Sequence, residues 1–564
     1  MTVLLLACLA IVLLAGRLLQ LQIVLAPTLL DDVHRQQVGE SPLRASRGRI
    51  LDARGRVLAV SRQMPDVFVD PKLVKDVGAV AAELAARLNL DPLEIEGQIE
   101  RRRDRRYVVV ARQVGEVEAE AVLAMGDRAV GLTDRAVRSY PLGSSMGQVL
   151  GFVGRDGMGL EGIELRFDAH LSVRDGKRST IRDARRRALW RTIGGSVPPK
   201  DGGHVVLTID AEIQRIAESA ITEAVETFGA ESAVAVVMEP KTGAIRAMAC
   251  VPLFDPSLAG KTPPDIRRNR IVTDPVEPGS TFKPFILSGA LAGGHVDPRE
   301  TFYCSMGMRR FGRRVLRDSS PHGDMTPAEI VIKSSNIGMG LIGERMGAEA
   351  LHHTLKAFRF GSATGIEFPG ESAGRVYPLG KWDSYSITSI PMGYEVLVTP
   401  LQLATALCTI VNDGVMIRPR LIQRLLAADG SPLGAPLSPE VVGRVLPEAV
   451  ARYVKDKVLL PTVEEGTGWR ARVVGYQVLG KTGTAKLIDP ETHGYEPGLY
   501  LGSFIAAAPA SDPRLVVLVM VRRPDSSKAY YGGTVAAPAV RMILTETLAY
   551  LAVRPDKEGF ASTR

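Results

Sequence analysis

Two apolar, β-rich stretches, residues 232–251 and 476–523, lie far apart in the chain and constrain its fold more than any other feature. "SAVAVVMEP" (232–240) and "AIRAMACV" (244–251) read as strands joined at Lys241-Thr242-Gly243. "YQVLGKTGTAKLI" (476–488), "GSFIAAAPA" (502–510) and "RLVVLVMVRR" (514–523) read as three more, since short apolar runs bounded by turn residues are strand signals. Between them, over about 280–460, the texture is mostly helical. "DAEIQRIAESAITEAVETFG" (210–229) predicts a helix capped by Asp210 and stopped by Gly229, and "AAPAVRMILTETLAYL" (536–551) predicts a closing one. The expectation is an α+β unit with one central antiparallel sheet, built from both ends of its sequence and flanked by helices. No fixed-period repeat competes with that reading.

Upstream, the texture is mixed and rich in charge. "DVFVD" (66–70) and "RYVVVAR" (106–112) are β-like, "VGAVAAELAARL" (77–88) is helical, and "RASRGRILDARGRVLAV" (44–60) predicts two short strands around Arg54-Gly55. The Gly- and Pro-dense "GGSVPPKDGGH" (194–204) is a boundary signal. The expected organisation is an N-terminal anchor (1–26), an elongated mixed α/β pedestal (27–200), a second domain (201–555) and a short tail (556–564). At 564 residues the chain has room for several domains.

The first residues, "MTVLLLACLAIVLLAGRLLQLQIVLAP", hold an apolar run from Val3 to Gly16 that is short for a span of about 20 residues but continues past Arg17. A cleaved signal peptide is the alternative; it lacks a basic first segment and an A-x-A site. The reading favours an uncleaved single-pass anchor, with the bulk of the chain outside the cytoplasm and Arg17 snorkelling to the outer interface. The net charge of +8 comes from scattered clusters such as "RRRDRR" (101–106) and "RDARRR" (182–187), without interleaved aromatics, so nucleic acid is not an expected partner. The four cysteines are widely spaced, with no CxxC and no Cys/His ligand pattern, so neither a required disulfide nor a metal is expected.

Three short motifs carry chemistry. In "EPGSTFKPFILSGALAGG" (277–294), Ser280 and Lys283 are three residues apart at the mouth of an apolar helix and share one face. A serine hydroxyl needs a base to become a nucleophile, and a lysine serves only when burial or a neighbouring cation lowers its pKa. Ser280 near a helix N-terminus would also favour a developing oxyanion. In "KSSNIGMG" (333–340), Ser334 and Asn336 place a hydroxyl and an amide two positions apart. In "GKTGTA" (480–485), Lys481, Thr482, Gly483 and Thr484 lie on a predicted strand, with 482 and 484 on one face. Each motif alone has an ordinary structural reading: an N-cap with a solvated lysine, a helix start, a turn with an incidental lysine. Their order, SxxK, SxN, KTG, is the active-site set of serine acyltransferases that react with penicillin.

Around these motifs the chain resembles the class B penicillin-binding proteins over nearly its whole length. "ASRGRILDARGRVLAVS" (45–61) is similar to the segment opening their pedestal, although Ala53 stands where the family often has arginine. "GLEGIE" (159–164), "EPKTGAIRAMA" (239–249), "EEGTGWRA" (464–471) and "YYGGTVAAP" (530–538) are similar to further signatures, and the EPGSTFKP and SSN forms favour the division-type subfamily over the elongation-type. The resemblance implies a peptidoglycan D,D-transpeptidase needing no cofactor, with Ser280 as nucleophile, Lys283 as general base, Ser334 as proton relay and Asn336 as a holder of Lys283 and the substrate amide. It implies that Lys481, Thr482 and Thr484 bind the substrate's terminal carboxylate. The backbone N–H groups of Ser280 and Thr484 would form the oxyanion hole. Implied partners are peptidoglycan stem peptides, β-lactams as covalent inhibitors, a membrane-embedded SEDS-type glycosyltransferase and divisome proteins. No glycosyltransferase domain fits before residue 200, and no motif places a deacylating glutamate. A β-lactam sensor or hydrolase, and a scaffold activating a membrane glycan polymerase, are the alternatives.

Overall fold

The computed structural model describes residues 1–26, 38–182, 188–192, 196–488 and 494–557. "RDARRR" and the tail from 558 lie outside them, save for Arg182. The chain forms two compact units: Met1–Gly48 with Ser61–Val137 and Leu171–Gly203, and Arg49–Val60 with Arg138–His170 and His204–Arg564.

The first unit begins with helix Thr2–Leu19, continued by wider turns over Gln20–Val24. Residues Thr2–Val24 are long and apolar enough to cross a membrane. Helix Val77–Leu88 fills its predicted range, capped by Asp76, whose side chain accepts from Ala79 N, and ended by Asn89 in the left-handed conformation. With helix Pro92–Glu100 and strand Val108–Ala111 it closes a core around Val67, Leu84, Ile95 and Ile99. Strands Val38–Leu43, Gly176–Arg182 and Ala188–Thr192 form a separate antiparallel sheet.

The second unit is the expected α+β body. Its strands are β1 (Ser232–Met238), β2 (Ile245–Val251), β3 (Leu479–Ile488), β4 (Tyr495–Ala508) and β5 (Leu515–Arg522). They form one antiparallel sheet in the order β2-β1-β5-β4-β3, so sequence from both ends meets at the β1–β5 pair. Helix α1 (Ala211–Phe228), with Asp210 as N-cap and Gly229 in the left-handed conformation, packs with the closing helix Ala537–Tyr550 on one face. That layer buries Ile213, Ile221, Ile543 and Leu544 against alternate strand residues such as Ala235, Val237, Val517 and Val519. The block between the two β-rich stretches is less purely helical than expected. Besides helices α2 (Lys283–Ala292) and α3 (Asn336–Ala357), the described residues there hold four two-stranded ribbons.

The contacts divide the chain differently from a single cut at residue 200. Ile50 and Leu51 pair in parallel with Val205 and Val206, which draws the Arg-Gly segment into the second unit. The buried Asp52 carboxylate accepts from Arg54 N, Arg56 N, Arg56 Nε and Ala211 N. Asp210 accepts from Arg54, Arg56 and the Tyr550 hydroxyl. Arg-Gly chemistry here supplies cations and a turn to bind two carboxylates at the start of α1.

Candidate active site

Gly279, at φ +56°, opens a 3-10 turn, Gly279–Phe282, that runs directly into α2. Its N–H donates to Gly393 O at 3.1 Å. The turn lies against β3, an edge strand of the sheet. A Cβ at Gly483 would stand 2.5 Å from Ser503 Oγ and 2.7 Å from Thr281 Cγ2, so only glycine lets the turn seat there. Behind the turn, buried Phe282 packs on Phe360 with ring centroids 4.8 Å apart and edge-on to Phe285 at 6.0 Å. These contacts fix where Ser280 stands. Its side chain is partly exposed, and its hydroxyl makes no hydrogen bond among the described residues.

Lys283 is fully buried. Its Nζ donates to Ser334 O at 2.6 Å, Asn336 Oδ1 at 2.9 Å, Ser335 O at 3.2 Å and Ser334 Oγ at 3.3 Å. The first turn of α2 and the loop before α3 therefore meet on this one ammonium. Burial pulls its pKa down to about 7, against the opposing pull of the Asp318 charge. Ser334 holds a left-handed φ of +60°, uncommon for a residue with a side chain and costing roughly 1–3 kcal/mol. That conformation sets its hydroxyl between two lysines, because Lys481 Nζ also donates to Ser334 Oγ, at 3.1 Å.

Lys481 is fully buried as well, with further bonds to Thr482 O at 3.0 Å and Thr482 Oγ1 at 3.4 Å. Burial first, and the nearby Lys283 charge second, hold its pKa well below the ordinary lysine value. Thr482 Oγ1 shares a hydrogen bond with Thr467 Oγ1 at 2.8 Å, and Thr484 Oγ1 accepts from Gly532 N at 3.2 Å. The structure thus brings Lys283, Ser334, Asn336, Lys481 and Thr482 into one hydrogen-bonded set, with Ser280 and Thr484 on the adjoining turn and strand edge. It does not join Lys283 to Ser280 by a hydrogen bond, as spacing alone suggests.

Three participants escape a sequence reading. Asp318 accepts from Asn336 N at 2.5 Å, Ile337 N at 3.1 Å and Ser335 Oγ at 2.6 Å, so a carboxylate sits on the N-terminus of α3 and presets the SxN loop. Nothing in "RDSSPHGDM" marks it. Thr467 and Gly532 lie in segments that carry the resemblance, "EEGTGWRA" and "YYGGTVAAP", but their partners come from β3. Chemically, the site offers a free hydroxyl beside a dry lysine that loses its proton near neutrality, with a second lysine relayed through a serine.

Comparison with known proteins places the chain in a family. Residues 233–545 match the penicillin-binding protein transpeptidase domain, and residues 42–207 match the penicillin-binding protein dimerisation domain. A probable peptidoglycan D,D-transpeptidase, PbpC, of Pseudomonas aeruginosa is 33% identical over 556 residues, covering 98% of this chain and 95% of that protein. The peptidoglycan D,D-transpeptidase FtsI of Escherichia coli K12 is 31% identical over 558 residues, covering 97% and 91%. Among solved structures, penicillin-binding protein 3 of Mycobacterium tuberculosis, complexed with aztreonam, superposes with a TM-score of 0.71 at 29% identity, over 92% of this chain and 98% of that one. The chain belongs to the penicillin-binding protein transpeptidase family. Its dimerisation domain ahead of the transpeptidase domain makes it a class B member.

Proposed function

We propose that the protein is a membrane-anchored, serine-type peptidoglycan D,D-transpeptidase that cross-links stem peptides and is acylated by β-lactams. The observation that carries the roles of its residues is the buried Lys283 ammonium, held by Ser334, Ser335 and Asn336 and poised to deprotonate near neutral pH. Once neutral, Lys283 has fewer N–H groups to donate and a lone pair to offer Ser280. Ser280 Oγ bonds to the penultimate D-Ala carbonyl carbon as Lys283 takes its proton. The oxyanion is met by the backbone N–H groups of Ser280 and Thr484, where one such donor is worth about 3–4 kcal/mol. The peptide C–N bond breaks, and the proton reaches the departing D-Ala amine through Ser334. An amine of a neighbouring strand then attacks the ester, forms the cross-linking amide and returns Ser280. Thr482, Gly483 and Thr484 receive the terminal carboxylate, and Lys481 lies behind them, where an arriving anion favours its ammonium form.

The anchor, residues 1–26, tethers a pedestal (27–200) and the catalytic body (201–555) outside the cytoplasm of a bacterial inner membrane. The EPGSTFKP and SSN forms support a division-type role, with a SEDS-type glycosyltransferase and divisome proteins as partners. The test is covalent labelling by a fluorescent penicillin. Labelling of the native chain that disappears in Ser280→Ala supports the assignment, and labelling of the variant at another residue overturns it.

A further inference from the structure

Between Met306 and Ser320 the chain carries five arginines (Arg309, Arg310, Arg313, Arg314 and Arg317) and one acid, Asp318. Asp318 is taken up by the N-terminus of α3. The segment folds as a hairpin, Met308–Phe311 paired antiparallel with Arg314–Arg317. The register sets Met308 opposite Arg317 and Arg310 opposite Val315, while Arg309 faces Leu316 and Phe311 faces Arg314. Directly paired residues share a face. Phe311 and Leu316 are buried and close on Gly340 of α3, where a Cβ would stand 3.1 Å from each. The opposite face therefore presents Met308, Arg310, Val315 and Arg317, all exposed. Two of the five cations are engaged internally: Arg309 with Tyr303 O and the Phe311 ring, and Arg314 with Ser389 Oγ. The guanidiniums of Arg310, Arg313 and Arg317 have no partner among the described residues.

This hairpin is bound to the catalytic set. The Arg317 carbonyl accepts from Asn336 Nδ2 at 3.1 Å, and Asn336 Oδ1 in turn accepts from Lys283. Three unpaired guanidiniums crowded on one hairpin repel one another and gain nothing from the fold. One sign of charge beside a cleft does, however, raise the local concentration of an opposite ligand. Arginine also binds carboxylates through two parallel hydrogen bonds. Exposed Met308 and Val315, set between the cations, add apolar contact suited to a peptide.

We propose that the hairpin's outer face is a substrate subsite for side-chain and α-carboxylates of the stem peptide, separate from the terminal carboxylate bound at β3. This rests on the transpeptidase reading above. The subsite sets specificity by charge: stem peptides with free internal carboxylates are used better than amidated ones.

The test uses the full chain in detergent and two synthetic donors ending in D-Ala-D-Ala, one with internal carboxylates free and one with them amidated. D-Ala release is followed for the native chain and for Arg310→Gln/Arg313→Gln; Arg317 is kept because it adjoins Asp318, whose carboxylate holds the start of α3. The native chain is expected to favour the acidic donor about ten-fold or more in kcat/KM, through KM, and the preference to shrink with salt. In the double variant it falls to near one. A native chain without preference, or a preference that survives both substitutions, overturns the subsite. Fluorescent-penicillin acylation of the native chain is read in parallel. Its failure speaks against the transpeptidase reading itself, whereas acylation without charge preference speaks against the hairpin alone.

Discussion

Replacing Asp318 by asparagine should move the pH dependence of acylation downward. Asp318 is the charge that favours the ammonium of Lys283, while burial disfavours it. Burial, and after it the nearby Lys283 charge, also hold Lys481 well below the ordinary lysine value, so the two ammoniums are coupled, and the acid limb near pH 7 is the one expected from Lys283. Asparagine keeps an oxygen for Asn336 N and Ile337 N and removes the charge. At an effective dielectric of about 20, a carboxylate one residue removed from an ammonium contributes roughly 2 kcal/mol, which the partial exposure of Asp318 reduces. At 1.36 kcal/mol per unit, the Lys283 pKa should fall by about one unit. The sign follows: less stabilisation of the ammonium means easier deprotonation, so the limb moves from about 7 toward about 6. At pH 6 the neutral fraction rises from about a tenth to about half, a gain of roughly five-fold, and above pH 8 it vanishes. The assay is the second-order acylation rate by a fluorescent penicillin from pH 5 to 9. Melting followed in parallel should show about 1 kcal/mol lost from the N-terminus of α3. An acid limb that stays in place or moves upward, in a variant that still folds, refutes the role given to Asp318 and to Lys283 as the titrating base.

Ser280→Ala should abolish covalent penicillin labelling while circular dichroism stays native; mass spectrometry finding an adduct elsewhere would remove Ser280 from its role. Lys283→Arg should lose nearly all acylation, because a guanidinium cannot deprotonate in a protein, and a near-native rate would make Lys283 an electrostatic group. Gly483→Ala should cost about 1–3 kcal/mol of stability, read as a lower Tm, and slow acylation, since the new methyl must displace Thr281 or Ser503; a native Tm would show that the turn has slack. Thr484→Ala should lose roughly 1 kcal/mol, as Gly532 N loses its acceptor; acylation rates of a β-lactam with its carboxylate free or esterified then separate strand support, which slows both, from carboxylate binding, which slows only the first.

Much of this was legible in the residues themselves. Local signals placed α1 to within a residue at each end, because Asp210 and Gly229 act on their own neighbours. Apolar runs located β1, β2 and β5, and the two-ended sheet followed from their separation. The three motifs named the residues that gather around Lys283. What escaped depends on contacts between distant segments. A lone aspartate in a polar loop reveals no purpose until the SxN loop folds onto it. The burial of Lys481 has no local mark, since a lysine after Gly480 reads as solvated until Ser334 and Thr482 surround it. The arginine hairpin was absorbed into a helical block because its strands are four residues each and their apolar pattern is weak.

The β1–β5 pairing has a consequence for how activity arises. Ser280, Lys283, Ser334 and Asn336 are all synthesised before β3, yet the turn bearing Ser280 rests on Gly483 and the Lys481 ammonium completes the pair around Ser334. Within the sheet β3 pairs with β4, which pairs with β5, which pairs in turn with β1. Such long-range pairings are late events in folding, after large loops have closed. A nascent or truncated chain ending before residue 479 thus carries Ser280 and Lys283, the proposed nucleophile and base, without the strand on which their turn rests, and competence is expected only when the last strands join the first.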